Sequence, residues 1–267
     1  AWQFSQFLHG EQGALICSAK IVETVPDIDS KFYAATQVMD EARHCEAYSR
    51  YLHEKLHLAY PINPHLKELL DQVIRDTRWD FTYLGMQILI EGLALAAFGT
   101  IRDFATDPLG RQLNAYVMQD EARHVAFGRL ALRDFYPQLT QKERDEREEF
   151  CIEACYLMRD RFLAEEVWTH LELGEECADA VRNSLSMREF QKFLFARIVP
   201  ALAEIGLWSG RVQSAFAKLG VLEFAKIDLD ALSEHDEKIA IEFDEQRRAA
   251  DEKIAEAVGL AAEIPEA

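Results

Sequence analysis

The pentapeptide Asp-Glu-Ala-Arg-His stands at residues 40–44 and returns unchanged at residues 120–124. A glutamate precedes each copy by the same interval, because 28 residues separate Glu11 from the first copy and 28 separate Glu91 from the second. Within each copy a glutamate and a histidine are three residues apart, which puts both side chains on one face of an α-helix. Four carboxylates and two imidazoles in this order predict a carboxylate-bridged di-metal site inside a four-helix bundle.

Each half of the repeat contributes one upstream glutamate and one Glu-x-x-His pair to the predicted site. The predicted metal ligands are Glu11, Glu41, His44, Glu91, Glu121 and His124. Mixed carboxylate and imidazole donors suit iron or manganese better than copper or zinc–thiolate sites. We therefore predict two iron ions, with manganese or a mixed iron–manganese pair as the alternative. Six ligands for two ions leave coordination positions open, as dioxygen chemistry requires.

A single Glu-x-x-His on a helix is more often a solvated polar face than a metal site. The surroundings of Glu91 argue against that interpretation here, because nearly every residue from 87 to 95 is apolar. A carboxylate in the middle of a buried helix is costly unless it is paired or coordinated. Four clustered carboxylates would also repel one another, and metal cations remove that repulsion.

An aspartate directly precedes the glutamate of each copy. Metal-bound histidines usually donate their second ring N–H to a carboxylate or carbonyl, which fixes the ring's orientation. We predict that Asp40 supports His124 and that Asp120 supports His44, across the approximate two-fold axis of the bundle. The alternative is that each aspartate only forms a surface salt bridge with Arg43 or Arg123.

Composition narrows the class of protein. With 267 residues, 49% of them hydrophobic and 28% charged, the chain is long enough for one globular domain with a sizeable core. A net charge of -18 argues against nucleic-acid binding, which needs clustered basic residues. Five cysteines without regular spacing do not resemble a secreted disulfide framework, so we expect a cytoplasmic protein. The apolar run at residues 84–98 reads as a buried core helix, and we expect no membrane association.

The chain reads as helical nearly throughout, since glycine and proline are scarce. Residues 1–137 are predicted to form the four-helix di-metal-binding bundle, and residues 138–267 accessory helices packed on the same domain. Helix starts are predicted at the Asp107-Pro108 pair and at two capping boxes, Thr140-x-x-Glu143 and Ser186-x-x-Glu189. A last amphipathic helix is expected over residues 234–258.

The doubled Glu, 28 residues, Asp-Glu-x-x-His pattern resembles that of the ferritin-like di-iron carboxylate proteins. Within that family it is similar to the oxygen-activating branch, which contains bacterial hydroxylases, arylamine N-oxygenases and the radical-generating subunit of ribonucleotide reductase. The resemblance implies an all-α, ferritin-like four-helix bundle with accessory C-terminal helices. It also implies a non-haem di-iron oxygenase that activates dioxygen to oxidise a small organic substrate by hydroxylation, N-oxygenation or a related reaction.

Because the chain carries no reductase motif, we expect an external electron donor, a ferredoxin or a reductase, and the resemblance implies a homodimer. Glu11, Glu41, Glu91 and Glu121 would serve as the catalytic carboxylates. The N-oxygenases carry an additional metal-bound histidine one helical turn before the second Glu-x-x-His. This chain has Val117 there, which counts against N-oxygenation.

Tyr48 is a further catalytic candidate, because it lies one turn beyond His44 and two turns beyond Glu41. In the ribonucleotide reductase subunit, a redox-active tyrosine stands at the equivalent position. The competing interpretation is a packed aromatic residue whose hydroxyl is satisfied locally. The matching position of the second copy is Gly128, which we expect to open space for a substrate.

Two other functions remain open at the level of sequence. One is a ferroxidase or peroxidase that acts on iron or peroxide itself, and the other is a radical-generating or metal-storing subunit. Apolar surroundings and long accessory helices disfavour the ferroxidase, which would need an acidic pore and a cage-like assembly.

Overall fold

The computed structural model describes residues 1–262, with side chains described as far as Glu256. Within these residues all regular secondary structure is helical, which confirms the all-α prediction. The last five residues of the predicted accessory section, 263–267, lie outside the described residues. The α-helices in chain order are α1 (Trp2–Thr24), α2 (Ile28–Arg50), α3 (Pro64–Arg75), α4 (Trp79–Tyr83), α5 (Gly92–Phe104), α6 (Pro108–Phe135), α7 (Gln141–Asp160), α8 (Glu165–His170), α9 (Gly174–Asn183), α10 (Leu185–Phe193), α11 (Ile198–Glu204), α12 (Gly210–Leu219) and α13 (Leu229–Ala262).

Four long helical segments form a bundle around the predicted site. Helix α1 packs along α2, and α5 packs along α6. A π-helical segment, Leu84–Glu91, joins α4 to α5, so Trp79–Phe104 is one continuous helix. By length and composition this helix could cross a membrane, since its most apolar 18-residue window has a mean hydropathy of 1.7. However, 83% of that window is buried inside the structure, as expected for the central helix of a bundle.

Side-chain caps explain where several helices begin. Asp107 accepts a hydrogen bond from the backbone N–H of Gly110 at 2.8 Å, and Thr140 forms a complete capping box with Glu143. These two starts agree with the prediction. The predicted capping box at Ser186 is wrong, because Ser184 caps α10 instead and Ser186 lies inside the helix.

The last helix is longer than the sequence suggests and begins at Leu229. The carboxylate of Asp228 accepts hydrogen bonds from the backbone N–H groups of Asp230 and Ala231, both at 3.0 Å. This cap satisfies backbone donors that a helix start otherwise leaves unpaired.

Buried ion pairs fasten the accessory helices to the bundle. Arg147 of α7 contacts Asp80 of α4 at 2.9 Å, and both side chains are almost fully buried. Asp236 of α13 contacts Arg102 of α5 at 2.7 Å and also pairs with Arg197. Since removal of one partner from a buried pair costs about 3–5 kcal/mol, these contacts fix α7 and α13 against the bundle helices.

Candidate di-metal site

The first half of the cluster centres on the ring of His44, on α2. Its Nδ1 atom lies 3.2 Å from a carboxylate oxygen of Glu11, on α1, and 3.4 Å from one of Glu41. It also lies 3.1 Å from Oε1 of Glu121, on α6. All four side chains are buried, so three helices bring these polar groups together in the interior.

The second half centres on the ring of His124. Its Nδ1 atom lies 3.2 Å from Oε1 of Glu41 and 3.4 Å from Oε2 of Glu121. Glu91, at the end of the π-helical segment, belongs to the same half. The structure therefore brings together all six residues that the repeat singles out.

The donor set is compatible with two metal ions. One group of possible ligand atoms comes from Glu11, Glu41, His44 and Glu121, and a second comes from Glu41, Glu91, Glu121 and His124. Within each group the ligand atoms lie within 4.8 Å of one another. Because Glu41 and Glu121 occur in both groups, they are positioned to bridge two ions.

Several carboxylate oxygens in the cluster accept no well-aligned hydrogen bond, although the imidazole of His44 lies close to two of them. They are Oε2 of Glu41, Oε2 of Glu91 and Oε1 of Glu121, and all three are fully buried. Buried oxygens of this kind are costly in a folded protein unless something pairs with them. Coordination to cations would satisfy all three, so the residues present fit a pair of metal ions.

The two aspartates reach across the bundle as the repeat predicts. His44 Nε2 lies 3.1 Å from Oδ2 of Asp120, and His124 Nε2 lies 3.3 Å from Oδ2 of Asp40. Each imidazole thus faces the carboxylate cluster with Nδ1 and an aspartate with Nε2. This arrangement fixes the ring orientation and leaves Nδ1 as the metal-facing atom. Arg43 also contacts both aspartates, so the salt bridges exist in addition to the histidine contacts.

The ionisation of the upstream glutamates reflects their crowded, buried environment. Burial raises the pKa of Glu11 and of Glu91 well above the ordinary carboxyl value, and the nearby charge of Glu121 raises both pKa values further. Both carboxyls therefore tend to hold a proton when no cation is near.

The neighbouring carboxylates raise the pKa of both imidazoles. Burial alone would lower the pKa of His44, but hydrogen bonds to Asp120 and Glu11 outweigh it and raise the pKa. The pKa of His124 is raised in the same way, against burial, by the charge of Glu121 and by its hydrogen bond to Asp40. Protons thereby balance the cluster's negative charge, and metal cations would take their place.

A buried pair of amides holds one half of the cluster and was missed at the sequence level. Gln37 Nε2 donates hydrogen bonds to Oε1 of Glu41 and to Oε1 of Glu91, each at 3.0 Å. Gln87 Nε2 in turn donates to Oε1 of Gln37 at 3.0 Å. One signal was available, because Gln37 lies one helical turn before Glu41, on the face that carries the ligands.

The absence of a side chain at Gly128 lets Gln87 pack close to α6. The expectation that Gly128 opens space for a substrate is therefore wrong. A Cβ atom on Gly128 would lie 2.8 Å from the Cβ of Gln87 and 3.6 Å from the Cδ1 of Ile88. The π-helical segment therefore occupies the space that the glycine leaves.

Tyr48 is fully buried beside the first half of the cluster. Its hydroxyl donates a hydrogen bond to Oδ1 of Asn114 at 3.1 Å, and its ring packs against Phe4, Phe7 and Phe98. This geometry agrees with the packed aromatic interpretation. A redox role for Tyr48 stays a prediction.

A small cavity of about 20 Å³ adjoins the cluster. Its wall is mostly apolar, with the carboxylates on one side and two other polar side chains. The lining residues are Gln6, Phe7, Gly10, Glu11, Ala14, Met86, Ile90, Glu91, Ala94, Phe98, Glu121 and Arg161. The cavity has room for about one water-sized molecule, while the composition of its wall, apolar with a few convergent polar groups, is that of a small-molecule site.

Comparison with known proteins identifies the family. A family model described as p-aminobenzoate N-oxygenase AurF matches residues 18–206, which is well over half of the chain. The chain belongs to the AurF family. AurF proteins are di-iron oxygenases, so this protein is an oxidative di-iron enzyme and the prediction of two iron ions agrees with its family. Glu11 lies before the matched segment.

A solved structure supports the fold independently. Protein 19 with aldehyde deformylating oxidase activity, from Synechococcus, superposes with a TM-score of 0.64 over 81% of this chain and 94% of that chain, at 16% identity. This likeness confirms the ferritin-like helical fold of this AurF family member. No curated protein sequence matches the chain.

Proposed function

We propose that this protein is a monooxygenase that transfers one oxygen atom of dioxygen to a small organic substrate, which approaches the metal cluster on the side of Glu11 and Glu121. One observation carries the proposal: a buried cluster with the donor set for two irons forms part of the wall of an apolar cavity. When bound, a pair of ferrous ions would supply the electrons that reduce dioxygen.

The ligand assignment follows from the two groups of donor atoms. Glu11 and His44 would hold one ion, and Glu91 and His124 would hold the other. Glu41 and Glu121 would bridge them. Asp40 and Asp120 would keep the two imidazoles oriented through their Nε2 atoms, and the apolar cavity wall would keep bulk water away from the reacting groups.

The stoichiometry requires an external reductant. One oxygen atom enters a C–H or N–H bond of the substrate, and the other leaves as water after taking up two protons and two electrons. The sequence has no Gly-rich phosphate loop typical of a nucleotide or flavin site. We therefore propose a ferredoxin or a flavin reductase as the electron donor.

N-oxygenation of an aromatic amine is the first reaction that we propose to test, because the family model that matches the chain describes an N-oxygenase. Val117 stands where the resemblance places an additional histidine, and the described metal-binding groups contain two imidazoles only. Hydroxylation at carbon is therefore the second reaction to test.

We also propose a cytoplasmic homodimer. All five cysteines are free in the structure, as in a reducing compartment. Helix α2 exposes Ile28, Phe32 and Met39, each with more than half of its surface accessible, and a second copy of the chain could cover them. Light scattering of the purified protein would measure about twice the monomer mass of 30.6 kDa if the dimer forms.

Oxygen-isotope labelling tests the proposed reaction. Iron-loaded protein, a chemical reductant and a panel of arylamines, small aromatics and fatty acyl compounds are incubated under ¹⁸O₂, and products are analysed by mass spectrometry. We expect one labelled oxygen atom per product molecule, and none with a Glu121→Ala variant. Repeated oxidation of added ferrous iron without any oxygenated product would contradict the proposal and favour the ferroxidase.

A further inference from the structure

Gln37 is a neutral donor inside a cluster of carboxylates. It lies on α2, one turn before Glu41, and only 1% of the residue is exposed. Its Nε2 atom donates to Oε1 of Glu41 and to Oε1 of Glu91, each at 3.0 Å. A side-chain amide has two N–H donors, so Gln37 gives both of them to glutamates of the cluster, one on its own helix and one on the π-helical segment.

Gln87 fixes the direction in which Gln37 donates. The Nε2 atom of Gln87 donates to Oε1 of Gln37 at 3.0 Å, and Gln87 is fully buried. If the Gln37 amide were turned over, its oxygen would face the carboxylate oxygens and its nitrogen would face the N–H donor of Gln87. Both contacts would then be repulsive. The two amides together therefore hold the N–H groups of Gln37 toward the glutamates.

The hydrogen bond from Gln37 makes the two oxygens of Glu91 unequal. Oε1 accepts from an amide that keeps its protons when metal binds. Oε2 is buried and, among the described residues, accepts no hydrogen bond. An oxygen without a donor can turn both of its lone pairs toward a cation. Oε2 is therefore the oxygen through which Glu91 would bind an ion beside His124.

The first half of the cluster has apolar residues where the second half has these amides. The internal repeat, kept in register, pairs Gln37 with Val117 and Gln87 with Phe7. Both of these apolar side chains are buried, and neither can donate a hydrogen bond. The amide network is therefore a departure from the repeat that belongs to one half only.

Glu11, the counterpart of Glu91, consequently lacks a permanent donor. Its Oε2 lies 3.2 Å from Nδ1 of His44, and that contact ends when Nδ1 binds a metal. In the part of the chain that the structure describes, no other side chain donates to Glu11. Both of its oxygens can therefore turn to the same ion, and a carboxylate bound through both oxygens supplies one donor atom more than a carboxylate bound through one.

We propose that Gln37 is a positioning residue that keeps Glu91 bound to metal through Oε2 alone. The ion beside His124 then has the open coordination position at which a small ligand such as dioxygen can bind. Glu11 binds the ion beside His44 through both oxygens, so that ion has one protein donor atom more. The inference rests on the ligand assignment of the proposed function, but it does not need turnover.

Nitric oxide tests the inference, because it is as small as dioxygen and the cavity bordered by Glu91 has room for about one water-sized molecule. Protein loaded with ferrous ⁵⁷Fe under argon is titrated with nitric oxide and followed by Mössbauer spectroscopy. We expect two ferrous signals of equal area at the start, of which the first equivalent of nitric oxide converts only one. Glu11→Ala, which should retain only the ion beside His124, assigns the converted signal to that ion.

Variants assign the open position to Gln37. Gln37→Met removes the amide but keeps the length of the side chain, so Oε1 of Glu91 can turn to the ion and close the position. Nitric oxide binding should weaken about 10- to 100-fold, the effect of losing a hydrogen bond to a charged group. Gln87→Met leaves both N–H donors of Gln37 in place and should weaken binding less. Gln72→Met is the control on α3, which supplies no ligand, and should leave binding unchanged.

Two results would overturn the inference. One is a titration of the wild-type protein in which nitric oxide converts both signals alike, a result that needs no variant to fold. The other is wild-type affinity for nitric oxide in Gln37→Met. The titrations use neither dioxygen nor substrate, so a failure of the oxygen-isotope labelling would leave them unaffected, and neither of the two results bears on the labelled product.

Discussion

The two halves of the metal cluster share one sequence pattern but differ in what surrounds them. Beside His44 stands Tyr48, packed among aromatic rings and hydrogen-bonded to Asn114. Beside His124 the matching position is Gly128, and Gln87 fills the space. An internal repeat thus supplies the ligands twice, while the residues one turn further make the two halves chemically different.

The amides of Gln37 and Gln87 stand beside only one half of the cluster, so the upstream glutamates of the two halves have different hydrogen-bond partners. Glu91 receives a hydrogen bond from Gln37, which in turn receives one from Gln87. Glu11 instead lies against the imidazole of His44. We expect Glu91 to keep its orientation more firmly than Glu11 when metal is bound, because Gln37 can still donate to Glu91, whereas Nδ1 of His44 would then be a metal ligand and could no longer donate to Glu11.

Removal of a glutamate that belongs to only one half of the cluster should have the largest effect on iron content. Glu91→Ala should lower the iron content from about two ions per chain to about one, because it removes a ligand from one half and spares the other. Glu11→Ala is the matched variant for the opposite half and should behave alike. Iron is quantified by elemental analysis after anaerobic loading and desalting. An unchanged content of two in either variant would contradict the ligand assignment.

Substitution of the aspartates that face the histidines should have the next largest effect, a loss of iron affinity. Asp120→Asn should weaken iron binding about 10- to 100-fold, since the amide no longer matches the Nε2–H of His44 as a charged acceptor. Asp40→Asn tests the other half in the same way. Competition with a chelator measures the affinity.

Arg123→Gln separates the two interpretations of Asp120. Arg123 pairs with Asp120 but does not contact the imidazole, and more than half of its side chain is exposed. If Asp120 acts through His44, the Arg123 variant should bind iron normally. If both variants lose affinity equally, the aspartate works only through its salt bridge.

Gly128→Ala tests the close approach that distinguishes the second half. The added Cβ would meet the Cβ of Gln87 at 2.8 Å, and because that atom sits next to the backbone it cannot swing away. We expect a loss of about 1–3 kcal/mol in the free energy of unfolding, measured with urea on the metal-free protein. Gly10→Ala is the control, because nothing lies within 4 Å of its Cβ position. It should stabilise α1 by about 0.5–1 kcal/mol, and a loss of similar size in both variants would refute the packing explanation.

Tyr48→Phe should have the smallest effect. Loss of the hydrogen bond to Asn114 should lower the free energy of unfolding by about 0.5–1.5 kcal/mol and leave iron binding intact. Electron paramagnetic resonance after exposure of the reduced, iron-loaded protein to oxygen tests the redox role. A tyrosyl radical that disappears in Tyr48→Phe would support that role, and its absence in the wild-type protein would leave Tyr48 as a packing residue.

Much of the fold and the identity of the clustered residues could be predicted from the sequence because both depend on helical spacing. A glutamate and a histidine three residues apart share a face in any α-helix, and a repeat in register sets four helices around one centre. The crosswise contacts of Asp40 and Asp120 followed from the same symmetry. The cap at Ser184 did not, because Ser184 and Ser186 both precede a helical pattern and only backbone geometry separates them.

The features that distinguish the two halves depend on how helices meet, which spacing within one helix does not determine. Gly128 was predicted to leave space for a substrate, because the sequence does not show which residue of a neighbouring helix approaches it. Gln87 was visible only as a polar residue in an apolar run, and the π-helical segment that carries it has no spacing signal of its own. Arg161 lies 37 residues beyond His124, and only the folded chain brings it to the cavity.

Anomalous diffraction at the iron absorption edge, from crystals of anaerobically iron-loaded protein, would show whether the six clustered side chains hold two ions. We predict two peaks about 3.5–4 Å apart, flanked by Glu41 and Glu121, with Nδ1 of His44 and Nδ1 of His124 each facing one of them. A single peak at the cluster, or iron found only at surface carboxylates, would contradict this prediction.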